Sequence, residues 1–147
     1  MTTMTVAALA ELTGIDPLDH LDREVAIPVH DKPQSQGDVR FRRLDATPAV
    51  TIRRDAAWRV VPPAGVTVVD GGAGGHAHVL TPTLGAAAPV EYTTDVDDAE
   101  GLAVGVVRSA EPCYSYHAEH GGLGLAPGLR VVRRQREQAD VQRLVAD

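Results

Sequence analysis

Asp38-Val39-Arg40-Phe41-Arg42-Arg43-Leu44 alternates polar and apolar side chains, the period-two signature of a strand with one buried and one wet face. It begins directly after Gly37, and the same signal returns downstream in short runs. Residues 50–52, 58–61, 66–70, 76–80, 89–94, 102–107 and 113–117 all read as strands. Residues 129–137, entered through the tight turn Ala126-Pro127-Gly128, form the longest candidate. Between them lie turn signals: Pro62-Pro63-Ala64-Gly65, the glycine loop 70–75 and the acidic turn 95–101. Short strands separated by turns every ~8–12 residues predict a mainly β fold, a small β-barrel or β-sandwich.

Upstream of Gly37 the pattern differs. Residues 5–12 carry helix-favouring residues, with Leu9, Leu12 and Ile15 forming an apolar stripe, Thr3 or Thr5 placed to cap and Gly14 placed to stop. Asp16-Pro17 then suggests a second short helical turn through Leu18 and Leu21. The proline-punctuated stretch 27–37 reads as a linker or extended arm. At the other end, residues 138–147 suit a short C-terminal helix with Val141, Leu144 and Val145 on one side. The expected organisation is an N-terminal helical segment and extended arm over 1–35, followed by a β-rich domain over 36–147.

A chain of 147 residues is long enough to bury one real core. With 44% hydrophobic but only 3% aromatic residues, Val, Leu and Ala must fill it, and small side chains gain little from ring contacts. Modest stability, or support from partner copies, is expected. The net charge of −6 argues against binding a nucleic-acid backbone. The arginine-rich run 130–136 is the local exception. It reads as a charge-protected edge strand or, alternatively, as a contact for an anionic partner. A single cysteine, Cys113, excludes an intrachain disulfide framework and a multi-cysteine zinc site. It lies too far along a strand from His117 for direct proton transfer and is assigned to the core. The sequence contains no apolar run near the ~20 residues of a membrane span and no basic signal-peptide start. A cytoplasmic location is expected, or a virion if the gene is a phage's.

The chemistry-bearing residues cluster in two places. His76 and His78, two apart, leave an ideal strand on the same face and can reach one ion. His117 and Glu119 have the same relation, and His120 can join them only through a turn or bulge, which Gly121-Gly122 can supply. His76, His78 and His117, completed by Glu119 or His120, are the candidate ligands of a divalent metal: zinc, iron, manganese or nickel. Without metal, the same histidines can form a hydrogen-bonded network or a pH-sensitive contact. The glycine loop lacks the Lys-Ser/Thr pair and helix of a phosphate loop.

Taken in order, Gln36-Gly37-Asp38-Val39, Gly75-His76-Ala77-His78, His117-Ala118-Glu119-His120, Ala126-Pro127-Gly128 and Val132-Arg133-Arg134-Gln135-Arg136-Glu137 resemble a widespread family of small bacterial, prophage and phage proteins. Its members read QGDV, GEvTGHaH, HeEH, PPG-Y-V and RQREY. The resemblance spans about residues 36 to 137. Asp70 to Gly74 depart from the usual Gly-Glu-x-Thr, Leu129 and Gln138 stand where tyrosines are common, and residues 1–35 are additional. The resemblance implies that His76, His78, His117, Glu119 and His120 occupy signature positions. It carries no activity. Two readings follow: a β-domain with a His/Glu divalent-metal site, or a non-enzymatic phage structural protein such as a capsid decoration or minor virion component. The partners expected are further copies of the chain or capsid and virion proteins.

Overall fold

The computed structural model describes residues 3–71 and 75–135. In chain order the elements are α1 (Val6–Thr13), β1 (Val29–His30), β2 (Gln34–Gln36), β3 (Val39–Arg43), a single 3-10 turn (Leu44–Ala46), β4 (Val50–Ile52), β5 (Arg59–Val60), β6 (Val66–Val69), β7 (His78–Pro82), β8 (Val90–Thr93), β9 (Val96–Asp98), β10 (Ala103–Ser109), β11 (Cys113–His117), β12 (Gly121–Leu125) and β13 (Gly128–Arg134). They build a five-stranded sheet, β1-β12-β11-β7-β6, a six-stranded sheet, β2-β3-β13-β10-β8-β5, and the two-stranded ribbon β4-β9. Among the described residues the sheets keep free edges and do not close into a barrel.

Alternation sets the layers. On β11, Cys113 joins a core shared with Phe41 of β3, Leu80 of β7, Val107 of β10 and Val132 of β13, so the two large sheets meet through this apolar layer. The intervening Tyr114 and Tyr116 point to the other face, where Leu9 and Val6 of α1 cover them. β11 is therefore buried along its whole length. In the same way Val106 and Val131, one position out of phase with Val107 and Val132, are covered by Val50 and Val96 of the β4-β9 ribbon. The order of layers is helix, five-stranded sheet, six-stranded sheet, ribbon. With few large rings available, burial comes from interleaved valines and leucines, each worth about 1.5–3 kcal/mol when fully buried.

The N-terminal helix forms where its caps place it. The Thr5 side chain accepts the Ala8 N–H at 3.1 Å, and Gly14 closes the last turn in the left-handed region. After it, one hydrogen-bonded turn stands at residues 18–21, where the short helical turn is expected, with the Leu21 N–H donating to the Leu18 carbonyl. The proline-punctuated stretch is not a free arm: β1 runs parallel to β12 and β2 pairs with β3. Prolines 28 and 33 hold extended backbone outside these paired residues, which suits edge strands.

Two further strands escape a reading by alternation. β9 lies inside the acidic turn and is held by pairing with β4. β12, Gly-Gly-Leu-Gly-Leu, has too few side chains to show a period. Two of its glycines serve close packing instead: a Cβ at Gly122 would lie 2.5 Å from Ile27 Cδ1, and one at Gly124 2.5 Å from the Pro28 carbonyl oxygen. The expected C-terminal helix over 138–147 lies outside the described residues. No helix among the described residues is long and apolar enough to cross a membrane.

Because the neighbour at Gly124 is backbone rather than a flexible side chain, Gly124→Ala is expected to push β1 off β12 and destabilise the fold by roughly 1–3 kcal/mol. Urea denaturation measures this. A loss below about 0.5 kcal/mol would contradict the packing described.

Candidate functional site

The hairpin β2–β3 turns through two residues, Gly37 and Asp38, with Gln36 paired to Val39. Two-residue hairpin loops need positive φ at their first central residue, which Gly37 supplies at 59°. The turn sends the Gln36 side chain inward beside Val39 and leaves Asp38 at the tip. A Cβ at Gly37 would lie 2.7 Å from His120 Nε2, so the glycine also makes room for that ring.

Gln36 is 2% exposed, yet its amide is fully satisfied. Its nitrogen donates to the Ser115 carbonyl at 3.0 Å and the Gly121 carbonyl at 2.9 Å. Two carbonyls can only accept, so the amide orientation is settled by chemistry. Its oxygen accepts from Ser115 Oγ at 2.7 Å and lies 3.0 Å from His78 Nδ1. His78 must therefore donate from Nδ1, which leaves Nε2 as a bare lone pair. That lone pair faces a carboxylate: Asp38 Oδ1 is 3.5 Å away.

His117 is fixed in the opposite tautomer. Its Nδ1 accepts the backbone N–H groups of Glu119 and His120 at 3.1 and 3.2 Å, and its Nε2 donates to the His76 carbonyl at 3.1 Å. Both ring nitrogens are thus engaged. Around it gather the rings of His78, His120 and His76, with centroids 4.5, 4.6 and 5.8 Å from its own. The two histidine stretches therefore converge, although not as two strand faces. β7 begins only at His78 and β11 ends at His117. His76 sits in the preceding loop with its ring exposed, and Glu119 and His120 are exposed in the turn to β12. Among the described residues, no three His, Cys, Asp or Glu side chains form a ready-made cage for an ion.

Gln36, Asp38 and Ser115 were not identified as site residues by reading strand periodicity. The signal available was the pairing of a polar Gln and Ser with core positions: Gln36 precedes a hairpin turn into Val39, and Ser115 is two residues from buried Cys113. His20 has a role as well. Its Nε2 lies 2.8 Å from the Glu119 carbonyl and ties the N-terminal segment to the 118–120 turn. Cys113 is fully buried, with burial pushing its thiol up to about 12, as expected of a core residue.

The stretch holding this network is also one in which a sequence family is detected. Residues 35–135 match a family described as a domain of unknown function, DUF8820. The chain belongs to the DUF8820 family. No curated protein and no solved structure matches it. Gln36, Asp38, His76, His78, Ser115, His117, Glu119 and His120 all lie within the DUF8820 domain, and Leu18 and His20 reach in from outside it.

Burial first, then the neighbouring His117, lowers the His78 pKa from 6.5 to about 4, with Asp38 opposing only in part. His117 is lowered for similar reasons, burial first and then His120. The folded state therefore prefers both rings neutral, while the unfolded chain takes up protons near the ordinary value. For His78, this contribution to stability is full above about pH 6.5, falls as the pH drops towards about 4, and falls no further below that. The expected loss is on the order of 1–3 kcal/mol, read from urea midpoints across the window. His78→Gln is expected to flatten the profile, and a wild-type profile already flat there would contradict the assignment.

Proposed function

We propose that this DUF8820 domain binds a divalent ion of the zinc, iron, manganese or nickel class, with His78 Nε2 and the Asp38 carboxylate as its first two ligands. One observation carries the reading: two acceptors, a bare imidazole nitrogen and a carboxylate oxygen, face each other at 3.5 Å. Such a pair repels unless a proton or a cation lies between them. Near neutral pH the proton is disfavoured, since His78 holds one only below about 4. The separation suits a cation, because two ligands bonded at ~2.0–2.1 Å to a tetrahedral ion stand ~3.4 Å apart.

The support around His78 has the form that metal-binding histidines need. The ring N–H opposite the lone pair is fixed by Gln36 Oε1, and Gln36 is itself held by Ser115 and Gly121. Such outer hydrogen bonds set the tautomer and orientation of a ligating imidazole. Of the five signature residues, His78 is the anchor. His76 and His120, exposed and close to the His117 ring, are the neighbours suited to complete the coordination. His117, with both nitrogens engaged, acts as the wall that positions them. Glu119 contributes its backbone N–H to His117, and its exposed carboxylate adds negative charge beside the cluster.

Calorimetric titration of the metal-freed chain with zinc and nickel, followed by elemental analysis, tests this. About one ion per chain is expected. His78→Ala and Asp38→Asn should each weaken binding by at least about 10-fold, and Gln36→Ala by ~10–100-fold through the outer hydrogen bonds. Thermal melts without metal separate these losses from misfolding. Absence of saturable binding by zinc, nickel, manganese or ferrous iron would overturn the reading and leave water as the bridge between His78 and Asp38. Binding that survives both ligand substitutions would overturn it too.

A further inference from the structure

The arginine-rich end of β13 belongs to a second polar region that the histidine site does not use. Arg40 and Arg42, two apart on β3, share the wet face of that strand, opposite the face that buries Val39 and Phe41. In the β3–β13 register Arg40 stands directly across from Arg133. Like charges placed directly opposite destabilise a strand pair, so the arrangement calls for compensating anions. Arg133 has its own: Asp98 at 3.0 Å and Glu100 at 3.2 Å. Arg40 and Arg42 have no hydrogen-bonding or ion-pair partner among the described residues, whereas Arg43 on the same strand is paired with Asp31 and Asp45.

These side chains line a cleft of about 220 Å³ on the outer face of the six-stranded sheet. Arg40, Arg42 and Arg133 share that face, Arg134 lines the cleft beside them, and Glu100 is the one acidic residue in the lining. The Nε of Arg42 is buried there without an acceptor. A buried donor left unpaired costs about 1–3 kcal/mol, which an acceptor from outside the chain would relieve.

We propose that this cleft is a binding site for a small phosphate-class oxyanion, with Arg40 and Arg42 as its principal contacts. Guanidinium forks match phosphate oxygens in bidentate fashion. A tetrahedral oxyanion offers more acceptor oxygens than a carboxylate to groups arriving from two strands. The overall charge of −6 disfavours an extended polyanion such as nucleic acid, and the cleft is small. The phosphate is either free or the terminal group of a small molecule.

The test uses the full chain, stripped of metal on a chelating resin so that the histidine site cannot contribute. Inorganic phosphate, pyrophosphate, glycerol 3-phosphate and acetate are titrated separately at low ionic strength, with heat or backbone amide shifts of residues 40–42 and 133–135 as the readout. Saturable binding of at least one phosphate-bearing probe is expected, at least about 10-fold tighter than acetate. Tighter binding of glycerol 3-phosphate than of inorganic phosphate assigns the ester form, and the reverse assigns the free ion. Arg42→Gln and the Arg40→Gln/Arg42→Gln pair are expected to weaken binding at least about 10-fold with the thermal midpoint retained, while Arg43→Gln leaves it unchanged. No saturable binding, acetate binding as tightly, or a double variant that binds like wild type would overturn the proposal. Because the protein is metal-free and His78 is untouched, that failure is separate from any failure of the metal reading.

Discussion

The amide of Gln36 joins the two large sheets at the point where the histidines meet. It projects from β2, in the six-stranded sheet, and makes its bonds to β11, β12 and β7, in the five-stranded one. Two donated and two accepted hydrogen bonds use the whole capacity of the group. In a buried setting a fully satisfied polar network specifies one arrangement, because any slip strands a donor or acceptor. The same four bonds fix the strand-to-strand distance, the orientation of His78 and its tautomer. The lone pair of His78 is aimed at Asp38 because Gln36 leaves the ring no other choice.

The rest of the fold places Gln36 there. The Gly37-Asp38 turn brings the start of β3 back beside β2, and the Gln135 backbone N–H donates to the Asp38 carbonyl at 2.9 Å while its side-chain amide donates to the Gly37 carbonyl at 3.1 Å. From the other side, the Leu18 N–H donates to the Ala118 carbonyl and His20 reaches the Glu119 carbonyl. The 118–120 turn is thereby held from the N-terminal segment as well as from β11. Away from the site, ion pairs fasten the ends of β13. Arg130 is almost wholly buried and bonds Asp31 and the carbonyls of Asp31 and Ala126. At the other end Asp98 binds Arg133. Burial alone would raise the Asp98 pKa, but backbone N–H groups of Glu100, Leu102 and Ala103 together with Arg133 outweigh it, and the carboxyl is held below its ordinary value. A buried pair of this kind is weak evidence for added stability, but removing either partner would leave a buried charge unmatched.

Much of the β architecture was legible because its strands carry the period-two signal. Residues 38–44, 66–70 and 113–117 alternate clearly, and each contains a strand of the folded chain. β12 was not legible, since three of its five residues are glycines, Gly122 and Gly124 at close approaches and Gly121 at a φ of 84°, and alternation has no side chains to register. β9 was hidden because its Asp97 and Asp98 read as turn residues. Asp98 serves instead as an acceptor for three backbone N–H groups. The sequence singled out histidines whose rings do come together, but for an incomplete reason. His76/His78 and His117/Glu119 were paired by ideal strand geometry, whereas the strands begin and end at His78 and His117. A backbone carbonyl and two backbone N–H groups, invisible to side-chain spacing, do the positioning of His117. Gln36 and Asp38 escaped strand periodicity because their roles depend on contacts made 40 to 85 positions away in the chain.

The hydrogen-bond network holds His78 and His117 as neutral rings in opposite tautomers. Long-range proton–nitrogen NMR of the metal-free protein near pH 7 measures this directly, ring by ring. The expected result is His78 protonated at Nδ1 and bare at Nε2, and His117 protonated at Nε2 and bare at Nδ1. A doubly protonated His78, a His78 carrying its proton on Nε2, or a His117 averaging between tautomers would contradict it.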